Sequence, residues 1–317
     1  MTRPSDPSPN RPRALPRRDV LRAGLAAATA ILAGCATAPT PSPGQSLLAA
    51  TASPAPPTPS PAPSPTVSPQ PSIPPVGLRE AIASLLVVGF RGLTVEGADA
   101  NVTAIPAGLA GVILFNRDQL TGGRRNIASP AQLRGLTDGL RRLAGDRGLI
   151  IGIDQEGGEV ARLNPADGFP AFESQAAIGK AKDASVALDF GRRLGQTLAG
   201  VGVNLNFAPV VDLDINPTNP AIGALDRSFS ADPVVVSDLA LAEIEGHHQS
   251  GIGTTVKHFP GLGSATVNTD TGVADGSKTW TETELEPYRR LIPSGQLDVV
   301  MAGHIIVQRL GGSTPAS

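Results

Sequence analysis

From Gly77 onward, short and nearly continuous apolar runs alternate with stretches of helical period. The runs at 85–90, 111–115, 149–154, 203–212, 254–259 and 299–305 predict six strands. Unbroken apolar runs suit parallel strands, which are covered on both faces. Between them the sequence marks helix starts. Ser129 and Pro130 read as N-cap and first residue of a helix through Leu143, with Leu133, Leu136, Leu140 and Leu143 on one face. Asp232-Pro233 opens another, ending near His248. Thr281 and Glu284 form a capping box ahead of Tyr288 and Leu291. Repeated strand–helix alternation without a G-x-G-x-x-G turn predicts an α/β fold of the (β/α)8 TIM-type barrel, not a dinucleotide-binding sheet. About six of its eight units are accounted for, and each missing one needs about 30 residues. An open ring would leave two apolar strand edges, which natural proteins avoid. A truncated reading frame is therefore expected over a natural six-stranded barrel.

The first 76 residues follow another pattern. Arg17-Arg18 precedes a short apolar stretch, Ala23 to Ala33, which is too short to span a bilayer. A basic region and a short apolar region predict an export signal over 1–34; the paired arginines suit the twin-arginine route, with Sec export as the alternative. Leu32-Ala33-Gly34-Cys35 resembles a bacterial lipobox, so Cys35 is expected to be diacylated and to hold the protein on the outer face of the cytoplasmic membrane. Residues 36–75 contain 14 prolines and no charge. Such a segment cannot bury enough apolar surface to offset its ordering entropy. Residues 35–76 are expected to be a disordered tether, reaching up to about 120 Å. The barrel portion then occupies 77–317.

Composition narrows the function classes. The net charge of −2 conceals six arginines against two aspartates in 1–34; the remainder carries 20 basic and 26 acidic residues. That mildly acidic body gives no reason to expect nucleic-acid binding. A single Cys excludes an intrachain disulfide, and neither a Cys/His cluster nor H-E-x-x-H spacing suggests a metal. No cofactor is expected, and a monomer is.

In barrels of this type, chemistry sits where strands end and the following loops begin. Those positions hold Asp154, Asp212, Lys257, His258 and His304, and the loops add Arg162, Arg227, Asn268 and Asp270. Carboxylates, Lys, Arg and His gathered on one rim suit the hydroxyl groups of a sugar. His247 and His248, at a helix end, read as a solvated feature favoured by the helix dipole.

Four motifs carry a resemblance. Ile153-Asp154-Gln155-Glu156-Gly157-Gly158 continuing to Arg162, Asn206-Phe207-Ala208-Pro209 continuing to Asp212 with Asn219-Pro220 and Arg227-Ser228-Phe229, Lys257-His258-Phe259-Pro260-Gly261, and Met301-Ala302-Gly303-His304 stand in order. Together they resemble glycoside hydrolase family 3, in its β-N-acetylhexosaminidase branch. The resemblance implies that Asp154, Arg162, Arg227, Lys257 and His258 hold an amino sugar, with His304 near it. Asp212 either orients Lys257 or touches sugar. It also implies retaining hydrolysis of terminal N-acetylglucosamine from muropeptides or chitin fragments. The alternatives are a β-glucosidase of the family and a non-catalytic glycan-binding lipoprotein.

The chain departs from that pattern after Gly261. Where the branch carries an acid/base His oriented by an Asp, this sequence has Asp270 and Asn268. Asp270 is the expected acid/base, with Asn268 donating a hydrogen bond to it. A carboxylate there should repel phosphate and favour water as acceptor. The family's nucleophile, an Asp ending strand seven, is expected beyond residue 317, so the polypeptide itself is expected to be inactive and poorly stable.

Overall fold

The computed structural model describes residues 77–269 and 272–317. The readings on the export signal, Cys35, the tether and Asp270 lie outside the described residues.

Six parallel strands form one curled sheet: β1 (Val87–Gly89), β2 (Gly111–Leu114), β3 (Ile150–Ile153), β4 (Leu205–Asn206), β5 (Gly253–Phe259) and β6 (Val299–Ala302). Each strand pairs with its successor, so the order in space repeats the order along the chain. A doubly wound sheet would reverse that order at a switch point, so the topology is that of a barrel wound in one sense and left open.

A short helix, α1 (Leu78–Ala83), precedes β1 and buries none of its residues, whereas the helices between strands cover the outer face: α2 (Pro130–Ala144), α3 (Gln175–Ala181), α4 (Ala184–Gly200), α5 (Pro233–His248) and α6 (Glu286–Leu291). Two predicted caps form. Ser129 Oγ accepts from the Gln132 amide at 3.2 Å, and Asp232 Oδ1 from the Val234 amide at 2.9 Å. On α2 the side chains of Leu133, Leu136 and Leu140 are buried, each contributing about 1.5–3 kcal/mol of transfer free energy. The pair α3 and α4, rich in Ala and Gly, was not legible as separate helices. α4 packs on α5 with backbones almost touching: a Cβ on Gly191 would strike the Glu243 carbonyl, and one on Gly246 the backbone of Leu188 and Arg192.

Several expectations need correction. The run 203–212 yields only the two-residue β4, because Pro209 has no N–H for a ladder; Val210 rejoins the sheet through one bridge to Lys257. The run 299–305 stops at Ala302, and Ile305–Ile306 pairs instead with Ala274–Asp275. The Thr281–Glu284 capping box does not form. Thr281 makes no side-chain cap, the segment Glu282–Leu285 is a 3-10 turn, and Glu284 is buried with Oε2 accepting from the Ser264 amide at 3.2 Å. Glu284 is drawn there because Gly261 lets the chain pass directly over it. His247 is not solvated either: it is wholly buried beneath the sheet, whereas His248 stays partly exposed and pairs with Asp298 at 2.8 Å. The helix end is polar in sequence, but its packing on β4 takes one of the two imidazoles inside.

One apolar cluster lies between sheet and helices. A second, around Val210, Ile222, Leu262, Trp280 and Ile305, is built from the segments that follow β4, β5 and β6. It stiffens the rim on which the polar residues stand.

Candidate active site

Asp154 follows β3 directly. The chain then turns back as a small ribbon in which Gln155–Gly157 pairs with Val160–Ala161. Gly157 and Gly158 both take positive φ, 89° and 59°, and a Cβ on Gly157 would strike the Glu173 carbonyl. A side chain there is excluded twice over, by conformation and by space. Alternation along the ribbon sends Asp154 and Glu156 toward the barrel mouth, while Gln155 turns inward, where its amide bonds both Leu163 N and Leu163 O.

Glu156 is the hub. Its Oε1 lies 2.7 Å from Lys257 Nζ and 2.8 Å from Arg227 Nη2, and its Oε2 lies 2.7 Å from Arg227 Nε. Lys257 Nζ also donates to Asp154 Oδ1 at 2.8 Å, and Arg162 Nη2 lies 3.6 Å from Asp154 Oδ2. Burial by itself would raise the pKa of Glu156, but the charges of Lys257 and Arg227 outweigh it and hold the carboxyl at about 2. Arg227 is likewise shifted: burial opposes its charge, and Glu156 more than compensates, raising its pKa.

Asp212 corrects the sequence reading in one respect, since it orients His258 and not Lys257. Its Oδ2 lies 2.6 Å from His258 Nδ1, and its Oδ1 accepts from the Leu262 amide at 2.7 Å and the His258 amide at 3.2 Å. A carboxylate only accepts, so Nδ1 carries a proton. His258 Nε2 is thereby turned toward Arg227 Nη2, 3.5 Å away, at the cavity wall. Asn219, from the Asn-Pro motif, is fully buried and ties two loops together. It donates to the carbonyls of Leu262 and Gly263 and accepts from the amides of Ala221 and Ile222.

These groups face a cavity of about 510 Å³, whose lining includes Asp154, Glu156, Arg162, Arg227, Lys257, His258, Asn268 and His304. That size lies within the range of about 300–1,000 Å³ usual for small-molecule sites. Every predicted sugar-binding residue is thus brought to one place, together with Asn268. His304 stands at its edge, exposed, with Nδ1 2.5 Å from Ser317 Oγ. Glu156 and Gln119 line the cavity but were not singled out from the sequence. For Glu156 the signal was present, an acid two residues from Asp154 in the same motif; for Gln119 there was none. A cavity of about 590 Å³ opens at the other end of the strands, lined in part by Arg147 and Asn204. Two of its polar side chains are already committed to backbone: Arg147 to the carbonyls of Ile105 and Pro106, Asn204 to Leu149 and Ile151. Among the described residues no group of three or more His, Cys, Asp or Glu is arranged to hold a metal ion.

Residues 77–317 match the family model described as "Glycosyl hydrolase family 3 N terminal domain". The chain belongs to glycoside hydrolase family 3. It is 34% identical over 230 residues to the beta-hexosaminidase of Tolumonas auensis, covering 71% of this chain and 64% of that one. The beta-hexosaminidase of Nitrosomonas eutropha is 36% identical over 230 residues, with 70% and 62% covered. The chain therefore spans a little under two thirds of the length of these relatives. Among solved family 3 structures, the β-N-acetylglucosaminidase of a Paenibacillus species superposes with a TM-score of 0.68 at 31% identity, covering 76% of this chain and 45% of that one. NagZ of Neisseria gonorrhoeae, in complex with N-trifluoroacetyl-D-glucosamine, gives 0.63 at 27% identity, with 73% and 66% covered.

Proposed function

We propose that this chain carries the sugar-binding half of a β-N-acetylhexosaminidase that releases terminal β-linked N-acetylglucosamine from peptidoglycan- or chitin-derived saccharides. The observation that carries this reading is the balance of charge at the cavity. Arg162, Arg227 and Lys257 are set against Asp154, Glu156 and Asp212 in one connected cluster. Such a cluster offers fixed donors and acceptors in alternation but little net charge, which suits a neutral polyhydroxyl ring better than an anion. The names of the relatives support the same substrate class.

The chemistry assigned here is retaining hydrolysis, which needs two carboxyl groups about 5–5.5 Å apart. Asp154 and Glu156 are both paired with cations and act as binding groups, and the depressed pKa of Glu156 rules it out as a proton donor. Asp270 is the proposed acid/base, with Asn268 as its hydrogen-bond partner. Its negative charge would turn away phosphate, so water is the acceptor. The leader is proposed to export the protein and Cys35 to anchor it by lipid to the outer face of the cytoplasmic membrane, with 35–76 as spacer.

A second reading, a glycan-binding lipoprotein without catalysis, is favoured by one fact: among the described residues lining the cavity, both carboxylates are already paired. Two measurements separate the readings. N-acetylglucosamine should bind the purified chain in an NMR titration, more tightly than glucose; equal or absent binding rejects the amino-sugar assignment. Turnover of p-nitrophenyl N-acetyl-β-glucosaminide by the protein together with any segment that follows residue 317 should be abolished by Asp270→Asn. Undiminished turnover in that variant removes Asp270 from the mechanism, and absence of turnover in the unaltered protein leaves the binding reading.

A further inference from the structure

His247 lies on α5 and faces the sheet, wholly buried. Its Nδ1 is 2.9 Å from the Glu243 carbonyl oxygen one turn back, and its Nε2 is 3.0 Å from Asn206 Nδ2 at the end of β4. Which end of the Asn206 amide is the donor follows from Gln155, without reference to the histidine. Its Oδ1 accepts from the Gln155 amide at 3.0 Å and its Nδ2 donates to the Gln155 carbonyl at 2.9 Å. With Nδ2 committed as a donor, Nε2 must accept; with a carbonyl beyond it, Nδ1 must donate. One neutral tautomer satisfies the whole chain, and burial, which disfavours imidazolium, holds the His247 pKa down to about 4.

Gln155 stands between Asp154 and Glu156. Its backbone is gripped from behind by Asn206 through both N–H and C=O, and its side chain is gripped by Leu163. The last link of this grip is an imidazole on a helix face whose other buried positions include Val236, Leu239, Ala240 and Ile244. An apolar side chain would fill that space without needing a partner. What the imidazole adds is an acceptor for the second Asn206 Nδ2 proton, which stops the amide from turning.

We propose that His247 and Asn206 form a positioning relay that sets the peptide between Asp154 and Glu156, and through it the two carboxylates that bind sugar. The relay rests on the sugar-binding reading for its purpose, not for its geometry. The titratable groups around His247 are Glu243 and His248 on its own helix and Asp298 just before β6; Glu156 acts on Glu243 in turn. Protonating His247 would place a donor against the Asn206 donor and open the relay.

Nitrogen-15 NMR of the unaltered chain at neutral pH should show His247 neutral with the proton on Nδ1. The opposite tautomer overturns the proposal. In His247→Leu, the Gln155 amide should exchange with solvent about tenfold faster, the equivalent of roughly one lost hydrogen bond, while Ile244 on α5 changes little. Unchanged Gln155 exchange in the folded variant also overturns it. Should that variant fail to fold, the tautomer decides. N-acetylglucosamine titrated into the same samples should bind the variant about tenfold more weakly than the unaltered chain; equal affinity overturns the positioning role. If the tautomer and the exchange change in His247→Leu are both found and the unaltered chain binds no N-acetylglucosamine, the sugar reading fails and the relay stands.

Discussion

At the scale of single residues, the site is a set of charges that only their neighbours make tolerable inside the barrel. Glu156 takes its two cations from different segments, Lys257 from β5 and Arg227 from the loop after β4. Glu156→Gln leaves both with one partner fewer in a buried setting, and removing one member of such a group costs about 3–5 kcal/mol. Chemical denaturation at pH 7 should show that loss. The sign of its pH dependence follows from the depressed pKa. The folded state binds fewer protons than the unfolded chain between about 2 and 4.5, so the contribution is complete above 4.5 and fades as pH falls toward 2. Glu156→Gln should flatten that acid limb. Asp212→Ala should act differently, because it removes the acceptor of the His258 imidazole and of two amides. Its expected effect is at least about a tenfold loss of N-acetylglucosamine affinity, measured by NMR titration, as a charged hydrogen bond is worth about 1.5–3 kcal/mol. Residue identity was legible at Asp154, Asp212, Lys257 and His258 because each polar side chain interrupts an apolar strand end, whereas Glu156 was passed over. Partnership was not legible: nothing in the spacing says that Asp212 answers to His258 and not to its neighbour Lys257.

At the scale of elements, helix starts were legible where a side chain caps its own turn, as Ser129 and Asp232 do. Strand extents were less so. A parallel strand and a buried loop such as 207–213 present the same apolar run, and only Pro209 and the course of the chain around Asn219 part them. The buried polar face of α5 was misread for a related reason, since helix-end histidines look alike until packing takes one inside. That face makes a further prediction. Glu243 is wholly buried, both its carboxylate oxygens lack a partner, and burial first, then the charge of Glu156, raises its pKa to about 8. The folded state therefore binds more protons than the unfolded chain from about 4.5 to 8, and stability should fall as pH rises through that window, by at most about 1.4 kcal/mol per pH unit. His247, held at about 4 against an ordinary 6.5, contributes the opposite slope below 6.5. The two offset each other from about 4.5 to 6.5 and leave the decline visible between 6.5 and 8. Denaturation midpoints measured across that upper window should fall for the unaltered chain and stay level for Glu243→Gln.

At the scale of the whole molecule, the six strands found in chain order among the described residues make a sheet that is curled and not closed, so within those residues its first and last strands each lack a neighbour on one side. The burial along those edges bears this out. Leu85 and Leu86 just before β1, Val87 within it, and Val299 and Val300 in β6 are all exposed, whereas the central strands bury Val112, Ile151 and Val256 completely. An apolar edge with unpaired N–H and C=O groups is a template for another strand. Winding was legible from alternation taken with the lack of a G-x-G-x-x-G turn, and an open edge was expected from the count of strands. What the sequence did not supply is which side chains stand along those edges. Val299 has the stronger claim, because β6 lies on the long β5 and extends its ladder over four paired positions. The chain should therefore self-associate as its concentration rises, with static light scattering increasing faster than linearly. Val299→Lys, on an exposed edge position, should suppress that rise without lowering the denaturation midpoint, because a charge hinders strand addition and displaces no buried contact there. The monomer expected from the sequence is the state anticipated for that variant. If its scattering matches that of the unaltered chain, association runs through some other surface and the β6 edge is not the template.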